Sequence, residues 1–314
     1  MYKNRFKLFT KSFFFIVIAT LVTILIISVF FNISNSVFML EKVNLTKEKP
    51  DAGFTNVTYQ MQMDEDKLFE IEADKAKQVT KNLVFFDKVK IKSIKGDINF
   101  SAEAQAGTFD EIIKLLIFNN DVKINYFNDF AESEEVKINI GSQEVTYPEF
   151  VRISSPEYHF TAEFLKYDVS RGQLVEARNS EYHNKVNGNI LESEIILSDQ
   201  ENPNLLKASN VRITNNDIVL TGQDFQIALL ENNIIEHINA SGAIKMINPK
   251  YIITSEKLFY DPKNLIIQFR ENVILKSESG EMVGDNLIYD INTDIAKFVN
   301  LNDKQIRAKL GKLD

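Results

Sequence analysis

The side chains best equipped for chemistry are few and scattered. Three histidines, His159, His183 and His237, lie in different segments, and none has a second ligand at metal-binding spacing. Cysteine is absent, which removes thiolate nucleophiles, thiolate metal sites and disulfides together. Neither a G-x-S-x-G elbow, nor a phosphate-cradling glycine loop, nor H-E-x-x-H occurs. Asp64, Glu65 and Asp66 are adjacent acids, but a calcium loop needs more ligands and a glycine at a set offset, so they read as a solvated turn. Catalysis is therefore not expected, nor is a cofactor.

What the chain has in quantity is apolar side chains at a period of two. In KLFEIEAD, Phe69, Ile71 and Ala73 share one face, while Glu70, Glu72 and Asp74 share the other. The same alternation returns at Val89 and Ile91, at Val122, Ile124 and Tyr126, at Val136, Ile138 and Ile140, at Phe225, Ile227 and Leu229, and at Val273 and Leu275. Turn signals separate these runs: SRG at Ser170, NNDI at Asn215, ENN at Glu231, DPKN at Asp261 and SESG at Ser277. The expected body is antiparallel strand almost throughout. One stretch competes with that reading. Thr108 followed by Glu111 and IIKLLIF has the form of a helix capping box, while the strand pattern makes the same residues a hairpin.

Upstream of this body, residues 13–31, FFFIVIATLVTILIISVFF, carry no charge, and a helix of that length spans roughly 28 Å, about one bilayer core. No A-x-A cleavage pattern follows, so the segment reads as an uncleaved anchor. Lys3, Arg5, Lys7 and Lys11 precede it with no acid among them, which places the N-terminus in the cytoplasm and the body across the membrane. Those four set aside, 32 basic side chains face 44 acidic ones, a balance that argues against a nucleic-acid partner. The expected plan is a cytoplasmic N-terminus over 1–11, a transmembrane anchor over 12–34, a linker over 35–52, and β parts over 53–200 and 201–314.

Two short patterns repeat along the body. The first is apolar-x-small followed by an acidic or polar residue: Ile71-x-Ala73-Asp74, Phe100-x-Ala102-Glu103, Phe160-x-Ala162-Glu163, Leu206-x-Ala208-Ser209, Ile253-x-Ser255-Glu256 and Met282-x-Gly284-Asp285. The second is Phe-x-polar-x-Val-x-aliphatic at Phe85, Phe118 and Phe269, with a degenerate copy at Ala240. Each copy suits a hairpin with one apolar face and a small residue where the sheet bends or packs closely. Such a hairpin cannot bury its face alone, so stacking of successive copies is expected.

At these residues the chain resembles the lipopolysaccharide-transport proteins of the LptC and LptA (OstA-like) families. FTNVTYQMQMDEDKLFEIEADKAKQV, behind a single anchor, is similar to LptC, and residues 251–298 resemble the LptA repeating unit. That unit has Phe-x-Gly-Asn-Val where this chain has Glu271 before Asn272 and Val273. The resemblance implies a bent, open antiparallel β-jellyroll, extended or in two tandem modules, anchored in the inner membrane with its body in the periplasm. It also implies lipopolysaccharide as cargo, with lipid A acyl chains sheltered in an apolar groove. The implied partners are an inner-membrane ABC transporter of the Lpt system and an LptA-type protein joined by edge-strand addition.

Burial gives about 0.8 kcal/mol per methylene, so an apolar trough holds acyl chains firmly, and handover between similar troughs costs little. The candidate lining residues are Ile71, Phe85, Val89, Phe100, Phe118, Ile124, Phe160, Ile253, Phe269 and Val273. The same positions would face inward in any sandwich with a closed core. The second reading is thus a membrane-anchored assembly adaptor that docks partners by its sheet edges and never holds lipid.

Overall fold

The structure is a computed structural model. It describes residues 53–64, 67–95, 100–139, 141–142, 144–168, 171, 173–186, 188–199, 201–202, 204–215, 217–230, 235–299 and 307–310. The expected anchor and linker lie outside these residues. Among the described residues there are twenty strands and no helix, and no helix long and apolar enough to cross a membrane. Contacts divide the chain into two compact units between Ala177 and Arg178.

In the N-terminal unit, β1 (Gly53–Asp64), β2 (Lys67–Thr80), β3 (Leu83–Lys95), β4 (Phe100–Asp110), β5 (Leu115–Tyr126) and β6 (Asp129–Asn139) form an antiparallel meander. The outer side of β6 is shared: β7 (Glu144–Tyr147) runs along one end and β8 (Val151–Ser154) along the other. β9 (Tyr158–Ala162) then pairs with β8, and β10 (Phe164–Asp168) with β7. The capping-box stretch is a hairpin. Asp110 closes its turn by accepting the backbone N–H of Ile112 at 2.9 Å and of Ile113 at 3.3 Å.

β11 (Gln173–Asn184) spans the division between the units. The C-terminal unit continues with β12 (Ile190–Ser198), β13 (Leu205–Asn215), β14 (Ile218–Leu229), β15 (Ile235–Ile247), β16 (Ile252–Asp261), β17 (Ile266–Ser277) and β18 (Gly280–Asp290), each antiparallel to the next from β12 onward. The last two strands share the far side of β18: β19 (Ile295–Phe298) lies along Leu287–Asp290 and β20 (Arg307–Leu310) along Gly280–Val283.

A strict period of two breaks within the long strands whose burial is described, and the break accounts for most copies of the two sequence repeats. At Ala102-Glu103 the bend falls two residues later, after Ala104, and Ala162 ends its strand. Along β16 the buried positions are Ile253 and Ser255, then Leu258 and Tyr260; along β13 they are Leu206 and Ala208, then Val211, Ile213 and Asn215. Two residues in succession face outward at the break, a β-bulge that bends the strand and restarts the alternation. The last inward residue before the break is small because the concave side leaves little room: Ala73, Ala104, Ser133, Ser193, Ala208, Gly222, Ser255. At Gly222 an added methyl would lie 2.6 Å from Ile244 Cδ1. The serines serve the bend as well, each donating its hydroxyl to the carbonyl two residues on: Ser133 to Glu135 at 3.1 Å, Ser193 to Ile195 at 3.0 Å and Ser255 to Lys257 at 2.9 Å.

The second repeat is the same bend in a tighter form. In β5, β15 and β17 two consecutive residues have positive φ: Asn120 and Asp121, Gly242 and Ala243, Glu271 and Asn272. Three residues then face outward, and buried residues stand four apart: Phe118 and Val122, Ala240 and Ile244, Phe269 and Val273. Strands with one positive-φ residue, such as Lys88 in β3 or Asn210 in β13, have the shorter break. Glu271, the departure from the Gly-Asn-Val form, has φ +64°, a conformation that favours glycine.

Candidate functional site

In the C-terminal unit these bends fold the rungs back on themselves. A straight strand the length of β17 would hold its ends roughly 36–40 Å apart. Yet Asn248, in the turn at one end of the ladder, donates its side-chain amide to Tyr289 Oη and to Asp294 Oδ1, both at 3.3 Å, and these lie at the opposite end. The two half-sheets therefore face each other. Between them lies a cavity of about 50 Å³, lined from one half by Ile213, Ile218, Leu220 and Met246 and from the other by Ile238, Tyr260, Ile267 and Tyr289, with Phe225 and Leu258 beside the fold. The lining is almost wholly apolar. Its polar exceptions are Asn215 and the tyrosine hydroxyls, and burial pushes the Tyr260 and Tyr289 phenols above their ordinary range. Among the described residues no acidic, histidine or cysteine cluster could hold a metal.

The predicted lining residues divide into three groups. Ile253, Phe269 and Val273 are fully buried next to the fold, but the cavity is lined by other residues. They stand level with lining residues, Ile253 opposite Met246 and Phe269 opposite Leu258, so height along the strand does not separate core from lining. Ile267, two residues before Phe269, was legible by the same alternation, whereas which inward residues border space was not. In the N-terminal unit Val89, Phe118 and Phe160 are buried, and Ile71, Phe100 and Ile124 are half-buried.

Phe85 is a correction. It is 38% exposed and faces away from the core, because the bulge at Lys88 shifts the alternation by one place. Its neighbour Phe86 takes the core side, opposite Ala76 and Gly107. A methyl on Gly107 would touch Val89 Cγ1 at 3.1 Å and Phe118 Cδ1 at 3.6 Å, which fixes that face as the inner one.

What the geometry offers is an antiparallel sheet folded over an apolar interior. The family comparisons sharpen this. Residues 17–176 match the LptC-related lipopolysaccharide-assembly family, and residues 191–295 match the LptA/LptD N-terminal domain of lipopolysaccharide-transport proteins. The chain belongs to the LptC-related family and carries an LptA-like C-terminal part; its families are non-enzymatic transport components. The crystal structure of LptH, described as the LptA homologous periplasmic component of the lipopolysaccharide transport device of Pseudomonas aeruginosa, is 12% identical. It covers 41% of this chain and 98% of its own, with a TM-score of 0.34, too low to bear on the fold. No curated protein matches.

Proposed function

We propose that this chain is an anchored link in the lipopolysaccharide bridge between inner and outer membranes. Residues 12–34 hold it in the inner membrane beside the ABC transporter, the body stands in the periplasm, and acyl chains pass through the interior of the folded sheet. The observation that carries this reading is the apolar cavity between the two half-sheets, in a chain whose families move lipopolysaccharide. Water is a poor competitor for such a lining, and each methylene sheltered there contributes about 0.8 kcal/mol.

The edge of β1 supports docking by strand addition. Among the described residues β1 is laddered on one side only, to β2, and from Phe54 to Met63 it carries no charge and no proline. An edge without such guards is suited to receive another strand. The adaptor reading draws its support from a different fact. Ile253, Phe269 and Val273, beside the cavity, are fully buried, as they would be in a closed core.

Photocrosslinking in cells separates the two. A benzophenone side chain at Phe225 or Tyr260 should trap lipopolysaccharide, and one at outward Glu256 or Arg270 should not. Absence of lipid adducts at every inward position, with protein adducts retained along β1, would establish the adaptor instead.

A further inference from the structure

The two rims that flank this apolar cavity are tied to each other by specific polar contacts. Asn248 sits in the β15–β16 turn, with its side-chain oxygen accepting the backbone N–H of Lys250 at 2.9 Å and of Tyr251 at 2.6 Å. That turn fixes the amide so that its N–H₂ points across the mouth to Tyr289 and Asp294. Tyr289 Oη donates to Asp294 Oδ1 at 2.7 Å, and Lys250 pairs with Asp294 Oδ2. Two rims at opposite ends of the strands are thus tied by one polar cluster. Asn248 and Tyr289 are themselves buried at 7% and 2% exposure.

We propose that Asn248 and Lys250 on one rim, with Tyr289 and Asp294 on the other, form a latch that must part for an acyl chain to enter the C-terminal groove from the side. The proposal rests on the carrier reading above and names how its site is loaded. Tyr289 couples the two events. Its ring lines the cavity and its hydroxyl belongs to the latch, so a chain that displaces the ring also breaks the bonds across the mouth. Acyl chains of lipid A and of a simple fatty acid share the chemistry that the lining recognises, and the two probes below tell them apart.

The chain has no cysteine, so Lys250→Cys with Asp294→Cys gives a unique thiol pair that a short bis-methanethiosulfonate reagent bridges and a reductant releases. Loading is followed with purified lipopolysaccharide and, separately, with a dansyl-labelled fatty acid. Bridging should slow loading at least about ten-fold, reduction in the same sample should restore it, and Asn248→Ala with Asp294→Ala should accelerate it about ten-fold, equivalent to about 1.4 kcal/mol. Recovery on reduction shows that the bridged protein was folded. A response with lipopolysaccharide alone would assign the portal to large amphiphiles; a response with both would assign it to acyl chains in general. If bridged and loosened proteins load at the unmodified rate while inward crosslinks persist, the latch is not the portal and chains arrive along the stack. If no form takes up either probe, the carrier reading falls and the latch with it.

Discussion

Asn272 donates its side-chain amide to Glu256 Oε1 at 2.5 Å, from the positive-φ bulge of β17 to the bend of β16. The relationship recurs at other rungs. Asn210 donates to Glu194, Lys88 Nζ pairs with Asp74 at 2.9 Å, and the backbone N–H of Asp121 meets Glu134 at 3.5 Å. In each case the acid follows the small residue at the bend, and its partner is the second positive-φ residue of the neighbouring bulge, or the single one where there is only one. The small-acidic pair and the Asn-Val pair are thus two halves of one staple.

Asn272→Val should destabilise the C-terminal unit by about 2 kcal/mol, since it loses the bond to Glu256 and forces a β-branched residue into a left-handed conformation. Asn272→Gly should cost less, because only the bond is lost. Urea unfolding followed in the C-terminal unit checks this; equal costs for the two would mean that backbone conformation is not limiting.

Glu271→Gly should be neutral or stabilising by up to about 2 kcal/mol. Relief of the φ +64° strain is worth about 1–2 kcal/mol, against which stands an exposed ion pair with Lys257 worth about 0–1 kcal/mol. Gly222→Ala tests the other side of the bend, where the new methyl would meet Ile244 and Phe225. It should cost about 1–3 kcal/mol, measured in the same urea titration, and a neutral result would show that the fold has slack there.

Phe269→Ala should cost about 3–5 kcal/mol, as expected for an aromatic removed from a closed core. Phe85→Ala should stay within about 0.5 kcal/mol, and Phe86→Ala should clearly exceed it. Thermal unfolding of the three variants ranks them, and a Phe85 cost above that of Phe86 would contradict the inward face assigned to β3.

Two aspartates should respond to pH in opposite directions. Burial holds the Asp129 carboxyl above its usual range, outweighing hydrogen bonds from Ser155 and from Tyr158, whose hydroxyl lies 3.2 Å away. Its ionisation therefore works against folding, and the stability it gives below its unfolded pKa is lost as pH rises through the folded value. Asp129→Asn should raise the melting temperature at pH 7, with the gain vanishing under acidic conditions. At Asp294 burial also pushes upward, but hydrogen bonds from Lys250 and Tyr289 prevail and hold the carboxyl low. Asp294→Asn should lower the melting temperature at pH 7, and that loss should fade as pH falls below about 4, where the unfolded carboxyl takes up its proton. Melting curves of both variants between acidic and neutral pH give the sign of each effect.

The sequence by itself determined the strands and the turns between them. Alternation names inward faces, and side chains close turns locally, as Asp261 does by accepting the N–H of Lys263 at 2.9 Å and of Asn264 at 3.2 Å. It also determined the family, because the small-acidic and Asn-Val pairs are local requirements of a bulge and survive as motifs. Tertiary structure decided everything that depends on the phase of the alternation across a bend. One positive-φ residue at Lys88 moved Phe85 to the outer face, while two at Glu271 and Asn272 kept Phe269 and Val273 on the inner one. It alone decided where space remains, because a gap between half-sheets depends on how side chains from several strands fill the interior, which no single strand encodes. The contact of Asn248 with Tyr289 joins residues 41 apart in the chain, and only the folding back of every rung between them brings their rims within hydrogen-bonding distance.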